Sequence, residues 1–200
     1  MKYIPITLIY LRLFIGFALL LLSFSFIENF GAISVTLITI GLVSDIFDGM
    51  IARRLNISTV KLRRLDSTID QIFWCLIGIS AFIKFPDFFH HNYPEILLLF
   101  GVEAVTYIIS FIKFRKEVAT HAIFSKIWTL ILFATLIELF IAGNSTVLFQ
   151  ICFYVGLITR LEIIAILFIL KEWTNDVPSI FHTVKLRQGL EIKRNKLFNG

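Results

Sequence analysis

Four aspartates at the edges of two apolar segments are the residues of this sequence best suited to chemistry. Asp45 and Asp48 are three residues apart, and Asp66 and Asp70 are four residues apart, so each pair lies on one face of a helix. An ionised carboxylate inside a bilayer costs about 2.5 to 3.5 kcal/mol on insertion scales, so membrane segments keep one only where water, a partner or a metal compensates. A short basic loop joins the two segments, so we expect the two pairs to meet at the same depth. Four carboxylates that meet repel one another, and a divalent cation between them is the simplest remedy.

The donor atoms of this cluster indicate which metal it would bind. Carboxylate oxygens, with no His or Cys at matching spacing, favour Mg2+, Mn2+ or Ca2+ over Zn2+, and four carboxylates offer enough ligands for two ions. Gly49 follows Asp48 and Ala52 lies one turn on, which leaves a helix surface bare of side chains for a flat ligand. Arg53 adds a planar donor for phosphate. Gly49, Ala52 and Arg53 therefore predict a pocket for a metal-bound nucleotide or diphosphate.

The same charges also allow a purely structural interpretation. The aspartates would then cap helix ends and pair with four nearby arginines in the interfacial zone: Arg53, Arg54, Arg63 and Arg64. That interpretation is ordinary for one or two aspartates. Four of them at this spacing, beside a step of small residues, favour the metal site.

The composition indicates an integral membrane protein. The 200 residues are 58% hydrophobic and include 22 phenylalanines, which leaves too little polar surface to cover a soluble core. We predict an all-α polytopic protein, with a six-helix transmembrane domain over residues 1–172 and a basic tail over 173–200. The six predicted spans of roughly 20 residues are about 7–27, 32–54, 66–85, 94–113, 123–143 and 148–171.

The 19 lysines and arginines predict the orientation of the chain. Most of them follow spans two, four and six, on one side of the bundle, whereas Lys84 is the basic residue near the connections on the other side. Because cytoplasmic loops retain positive charge, we expect both termini and the aspartates to face the cytoplasm. The net charge of +5 suits the membrane's anionic lipids and phosphorylated substrates, and no nucleic-acid-binding motif is present.

The stretch "DIFDGMIARRLNISTVKLRRLDSTID" over residues 45–70 resembles the motif of the CDP-alcohol phosphatidyltransferase family, D-x2-D-G-x2-A-R-x8-G-x3-D-x3-D. Seven of its eight fixed positions match: Asp45, Asp48, Gly49, Ala52, Arg53, Asp66 and Asp70. Leu62 replaces the second glycine, which bears on nucleotide affinity more than on chemistry. Pro5 and Arg12 keep the spacing of the family's Pro-x6-Arg run. For Arg12 itself we favour an interfacial anchor over service to the pocket.

The resemblance implies a transfer reaction at the membrane. A hydroxyl would attack the lipid-bearing phosphorus of a CDP-linked lipid such as CDP-diacylglycerol, and CMP would leave. Asp45, Asp48 and Asp66 would hold Mg2+ or Mn2+, as one ion or two. Asp70 would be the general base on the incoming alcohol and also a metal ligand. The resemblance further implies a homodimer.

The alcohol acceptor is left open by the sequence. Chain length and six spans support glycerol 3-phosphate. Ser67 and Gln71, which stand where that branch usually has Pro and Lys, support serine, inositol phosphate or another headgroup alcohol.

Two basic residues within later spans are candidates for binding an acceptor phosphate. Lys126 lies near the cytoplasmic start of span five and Arg160 near the middle of span six. Lys126 has the alternative of snorkelling to the interface. Arg160 has the alternative of a structural ion pair with one of three acids: Glu103, Glu138 or Glu162.

Two other function classes compete with the transferase. A metal-coupled or proton-coupled transporter would also keep carboxylates in its spans, but it predicts acids near the bilayer midplane on broken or repeated helices. A non-catalytic family member would bind nucleotide lipid without turnover, an alternative motivated by Leu62. The presence of every acid needed for the metal and base roles favours the enzyme.

Overall fold

The computed structural model describes residues 4–55, 57, 59–116, 123–174 and 177–190, without the side chains of residues 53, 60, 63 and 123. Within these ranges all regular structure is helical: α1 Ile4–Ser23, α2 Phe30–Arg54, α3 Val60–Lys84, α4 Pro86–His91, α5 Tyr93–Phe114, α6 Ile123–Ala142, α7 Val147–Ile169 and α8 Ile180–Arg187. Six of these described helices are long and apolar enough to cross a membrane: α1, α2, α3, α5, α6 and α7. The predicted all-α fold with six spans is confirmed, and the chain is an integral membrane protein.

The helix boundaries differ from the predicted spans most clearly at the start of the chain. The first helix covers Ile4–Ser23, a few residues earlier than the predicted 7–27. Pro5 lies in the first turn of this helix, where a backbone N–H has no intrahelical acceptor to lose. Pro86 begins the short helix α4, which the apolar periodicity did not predict.

The first compact unit consists of residues 1–90 and 136–144, and in it α1 packs against both α2 and α3. Phe73 of α3 is 1% exposed. A Cβ atom at Gly41 of α2 would lie 2.3 Å from Cζ of this ring, and one at Gly16 of α1 would lie 3.3 Å from its Cδ2. The missing side chains at these two glycines let three helices meet around one aromatic ring.

The C-terminal end of α3 is held by a basic side chain and by aromatic packing. Lys84 donates from Nζ to the Ser25 carbonyl in the loop after α1, over 2.7 Å, and lies 4.6 Å from the Phe30 ring centroid. The rings of Phe30 and Phe85 both pack against Phe140. These contacts join the α1–α2 loop, the end of α3 and the end of α6 within this unit.

The second compact unit consists of residues 91–135 and 145–200, and in it α7 packs against α5 and α8. Lys113 at the end of α5 donates to the Leu167 and Phe168 carbonyls over 2.8 and 2.9 Å. These carbonyls belong to the last turn of α7, where backbone acceptors lack intrahelical partners. Val177 is fully buried and clusters with Ile166, so the chain after α7 folds back onto that helix.

Candidate active site

The four aspartates converge on one side chain, the guanidinium of Arg12. Nη1 of Arg12 donates to Asp45 over 2.5 Å and also pairs with Asp70. Nη2 donates to Asp48 over 2.5 Å and to Asp66 over 2.8 Å. The predicted meeting of the two aspartate pairs is therefore present, and α1 contributes the cation at its centre.

The packing around Phe73 explains why the two pairs meet. On α2, Asp45 comes four residues after Gly41, and on α3, Asp70 comes three residues before Phe73. Each aspartate therefore lies one helical turn from the residue of its own helix that forms the Gly41–Phe73 contact. The close contact of Gly41 with the Phe73 ring brings the carboxylates of the two helices within reach of one side chain.

The four carboxylates differ in exposure. The side chain of Asp48 is 2% exposed, whereas those of Asp45, Asp66 and Asp70 are 37%, 28% and 29% exposed. Asp48 is thus the most deeply buried carboxylate of the cluster, and the other three carboxylates are open to a ligand.

Arg12 is the site residue that the sequence interpretation missed. An interfacial anchor would keep its guanidinium at the surface, but the side chain is 1% exposed and contacts all four acids. The anchor interpretation is wrong because α1 turns this residue inward: Arg12 lies one turn before Gly16, which packs against Phe73. The signal that pointed to it was the spacing from Pro5 to Arg12.

The residues present fit a divalent metal. Among the described residues, Asp45, Asp48 and Asp66 form a group in which one carboxylate oxygen from each lies within 4.8 Å of the other two. Carboxylate oxygens are the ligands that Mg2+ and Mn2+ prefer. Asp70 is not part of this group of three and lies one turn further along α3.

The candidate nucleotide-binding residues follow Asp48 on α2. Gly49 is half-buried, but Ala52 is only 6% exposed, so the small surface predicted beside the acids is accessible at Gly49 and not at Ala52. The side chain of Arg53 lies outside the described residues. Its proposed contact with phosphate stays a prediction.

Leu62, which replaces the family's second glycine, is compatible with its backbone. It lies in the first turn of α3, and its N–H donates to Oγ1 of the N-cap residue Thr59 over 3.2 Å. Among the described non-glycine residues, a positive φ occurs at Arg115. A helical Leu62 therefore needs none of glycine's conformational freedom, and the departure amounts to a half-buried side chain.

The two acceptor-phosphate candidates belong to the second compact unit. Arg160 pairs with Glu103, one of its three predicted partners, and its guanidinium lies 4.6 Å from the Trp128 ring centroid. Trp128 in turn donates from Nε1 to the Cys152 carbonyl over 3.0 Å. Lys126 is exposed near the start of α6. The structural ion pair of Arg160 is thus present, and acceptor binding by either residue stays a prediction.

Comparison with known proteins gives one result. A family model described as CDP-alcohol phosphatidyltransferase matches residues 2–176, which include the four aspartates, Arg12 and both acceptor candidates. No curated protein and no solved structure matches the chain.

Proposed function

The chain belongs to the CDP-alcohol phosphatidyltransferase family, transferases of substituted phosphate groups, and we propose that it moves a phosphatidyl group from CDP-diacylglycerol or a related CDP-linked lipid to a small alcohol, releasing CMP. Such transfer belongs to phospholipid synthesis, and the family uses divalent metal. The observation that carries the proposal is the convergence of all four motif carboxylates on one point, the guanidinium of Arg12.

Three carboxylates are proposed to hold the metal, as one Mg2+ or Mn2+ ion or two. Asp48 is the most deeply buried of the three, and Asp45 and Asp66 place carboxylate oxygens beside it. A bound divalent ion supplies charge neutralisation at the phosphoryl oxygens and stabilises CMP as a leaving group. The greater exposure of Asp45 and Asp66 supports a site that is open on one side to a diphosphate.

Asp70 is proposed to act as the general base. Its carboxylate is partly exposed and lies one turn from Asp66, outside the group of three that fits the metal. A carboxylate within hydrogen-bond reach of a hydroxyl accepts its proton as the oxygen bonds to phosphorus. The phosphorus–oxygen bond to CMP then breaks, and CMP leaves with the electron pair. A contribution of Asp70 to metal binding is a further prediction from the family motif.

The surface of α2 beyond Asp48 is proposed to receive the nucleotide. Gly49 is half-buried and has no side chain, and Ala52 and Arg53 are assigned to this surface by the family motif, with Arg53 suited to bind phosphate. For the acceptor, Lys126 and Arg160 are the candidates for binding a phosphate group.

The orientation, division and assembly of the chain are also proposals. Both termini and the aspartates are placed at the cytoplasmic face, supported by the lysines and arginines after spans two, four and six. Residues 1–172 would carry the reaction, with 173–200 as a basic cytoplasmic tail. The family supports a homodimer.

The proposed transfer predicts metal-dependent CMP release in mixed lipid and detergent micelles containing CDP-diacylglycerol. The purified protein would be assayed with Mg2+ or Mn2+ across glycerol 3-phosphate, serine, inositol, inositol phosphate, choline and ethanolamine, with Asp70→Asn as the control. Release with one alcohol, lost in the control, would identify the acceptor. Folded protein that releases no CMP with any of them would contradict this proposal and favour the non-catalytic family member.

A further inference from the structure

The guanidinium of Arg12 stands among the carboxylates that the proposed function assigns to the metal. We propose that Arg12 is a positioning residue that takes the place of the divalent cation in the metal-free protein, and that its guanidinium leaves the four carboxylates when metal binds. The proposal rests on the proposed function for the metal-binding role of these carboxylates. It concerns what this chain's own arginine does before the metal arrives.

The contacts of Arg12 divide evenly between its two terminal nitrogens. Nη1 pairs with Asp45 and Asp70, and Nη2 pairs with Asp48 and Asp66. A guanidinium is planar, permanently charged and carries several donors in one rigid fork, so it is well suited to hold acids from two helices together. In this way one side chain holds the four carboxylates together.

The charges around Arg12 do not balance. With all four carboxylates counted as ionised, one guanidinium among them leaves a net formal charge of −3. Divalent cations neutralise such a cluster more completely than one arginine does. A metal ion bound by these oxygens and a guanidinium on the same oxygens would repel each other, so we expect exchange and not joint occupancy.

A second observation shows that the guanidinium is imperfectly accommodated. Nε of Arg12 is buried and has no hydrogen-bond partner within the described structure, although the whole side chain is 1% exposed. A buried donor without an acceptor is unfavourable. If the guanidinium left the cluster, the Nε–H of Arg12 could find an acceptor. This supports the proposal that only the Nη contacts hold the side chain until metal displaces it.

The test measures Mn2+ affinity, by the electron paramagnetic resonance signal of free Mn2+, for the purified full-length protein in lipid nanodiscs without CDP-lipid. Arg12→Gln removes the competing cation while keeping a polar side chain. We expect it to bind Mn2+ at least about tenfold more tightly than the unaltered protein, a change of about 1.4 kcal/mol. Arg12→Lys, which keeps the charge without the fork, should lie between the two.

Lys84→Gln is the matched control, because it removes one positive charge from the same compact unit at the Ser25 end of α3. Its Mn2+ affinity should equal that of the unaltered protein. The melting temperature gives a second readout: in EDTA, Arg12→Gln should melt below the unaltered protein, and Mn2+ should raise its melting temperature by the larger amount. Folding of Arg12→Gln in Mn2+ alone would be the extreme form of this result.

The outcomes separate this inference from the proposed function. Equal or weaker Mn2+ binding by Arg12→Gln, beside clear binding by the unaltered protein, would overturn the exchange and leave the metal site standing. No Mn2+ binding by any of these proteins would overturn the metal site and the exchange with it. If Arg12→Gln does not fold, Arg12→Lys carries the comparison. Failure of both variants to fold even in Mn2+ would show Arg12 to be a permanent structural partner.

Discussion

Gly41 lies directly against the ring of Phe73, one helical turn from Asp45. A Cβ atom at Gly41 would be 2.3 Å from Cζ and 3.0 Å from both Cε atoms of the ring. Phe73 is itself one turn from Asp70 and is buried at 1% exposure. The Phe73 ring therefore spans from α3 to α2 one turn from the carboxylates, while both helices pack against α1.

Gly41→Ala is expected to push α2 away from α3. Overpacking a buried contact usually costs about 1 to 3 kcal/mol of stability, and here it would also spread the aspartates, so both CMP release and Mn2+ affinity should fall. Unfolding in SDS, CMP release and Mn2+ binding measure the three effects. Gly78→Ala is the matched control, because a Cβ atom at Gly78 meets nothing within 4 Å and alanine favours the helix. Equal behaviour of the two variants would refute the role given to the Gly41 contact.

Asp48→Asn and Asp70→Asn are expected to fail in different ways. Asp48 is the most deeply buried of the three carboxylates that fit a metal. Asp48→Asn should therefore lose Mn2+ binding together with activity. Asp70→Asn should weaken Mn2+ binding much less, yet lower CMP release by about 10²-fold to 10⁴-fold, the usual contribution of a general base. Both variants are measured by Mn2+ titration and by the rate of CMP release at saturating metal. Retained transfer in Asp70→Asn would remove Asp70 from the base role.

The meeting of the aspartates was predictable because it depends on local spacing. Asp45 and Asp48 share a helix face, as do Asp66 and Asp70, and a short connection brings the two helices together. Because a charge inside a membrane has a high free energy, the four aspartates were not expected to lie there without partners or a metal. The six spans followed in the same way from length and apolar composition.

The position of Arg12 was not predictable from spacing alone. An arginine near the end of a span satisfies the snorkelling pattern as well as it satisfies a buried site. What decides between the two is the packing of α1 against α2 and α3, which depends on Gly16 and Gly41 meeting Phe73. These contacts join residues far apart in the chain, and a single sequence does not reveal which helix faces meet.

The partner of Arg160 was unpredictable for a similar reason. Three glutamates were available, and the packing of α5 against α7 selects Glu103. Gly156 also matters, because a Cβ atom there would lie 2.7 Å from Nε1 of Trp128. The ring that covers the Arg160 guanidinium therefore packs over a glycine of α7.

Leu62→Ala is expected to lower the KM for the CDP-linked lipid and leave kcat unchanged. Leu62 stands where the family motif has a glycine, beside the proposed nucleotide site, and its backbone is helical and capped by Thr59. Alanine removes most of this side chain and keeps the helix propensity that glycine would lose. Steady-state kinetics with varied CDP-diacylglycerol measure the effect. A lowered kcat with unchanged KM would show that Leu62 bears on the chemical step instead.

Arg160→Gln is expected to destabilise the second compact unit, because it leaves the Glu103 carboxylate within a span without its cation. The two side chains are 14% and 33% exposed, so we expect a loss smaller than the about 3 to 5 kcal/mol typical of a fully buried pair. The double variant Glu103→Gln with Arg160→Gln should recover part of this loss, which a double-mutant cycle of unfolding in SDS would measure. Purely additive losses would contradict a direct interaction between the two side chains.

The acceptor role of the two basic candidates is a separate prediction, since an ion pair does not exclude a ligand. Lys126→Ala and Arg160→Gln are each expected to raise the KM for the phosphorylated acceptor by about tenfold with little change in kcat, as loss of uniform binding does. Lys185→Ala, which removes an exposed basic residue of α8 outside the spans, is the control and should leave this KM unchanged. A KM unchanged in both test variants would end the acceptor-phosphate role, and Glu103 and Trp128 would then account for why Arg160 is kept within the membrane.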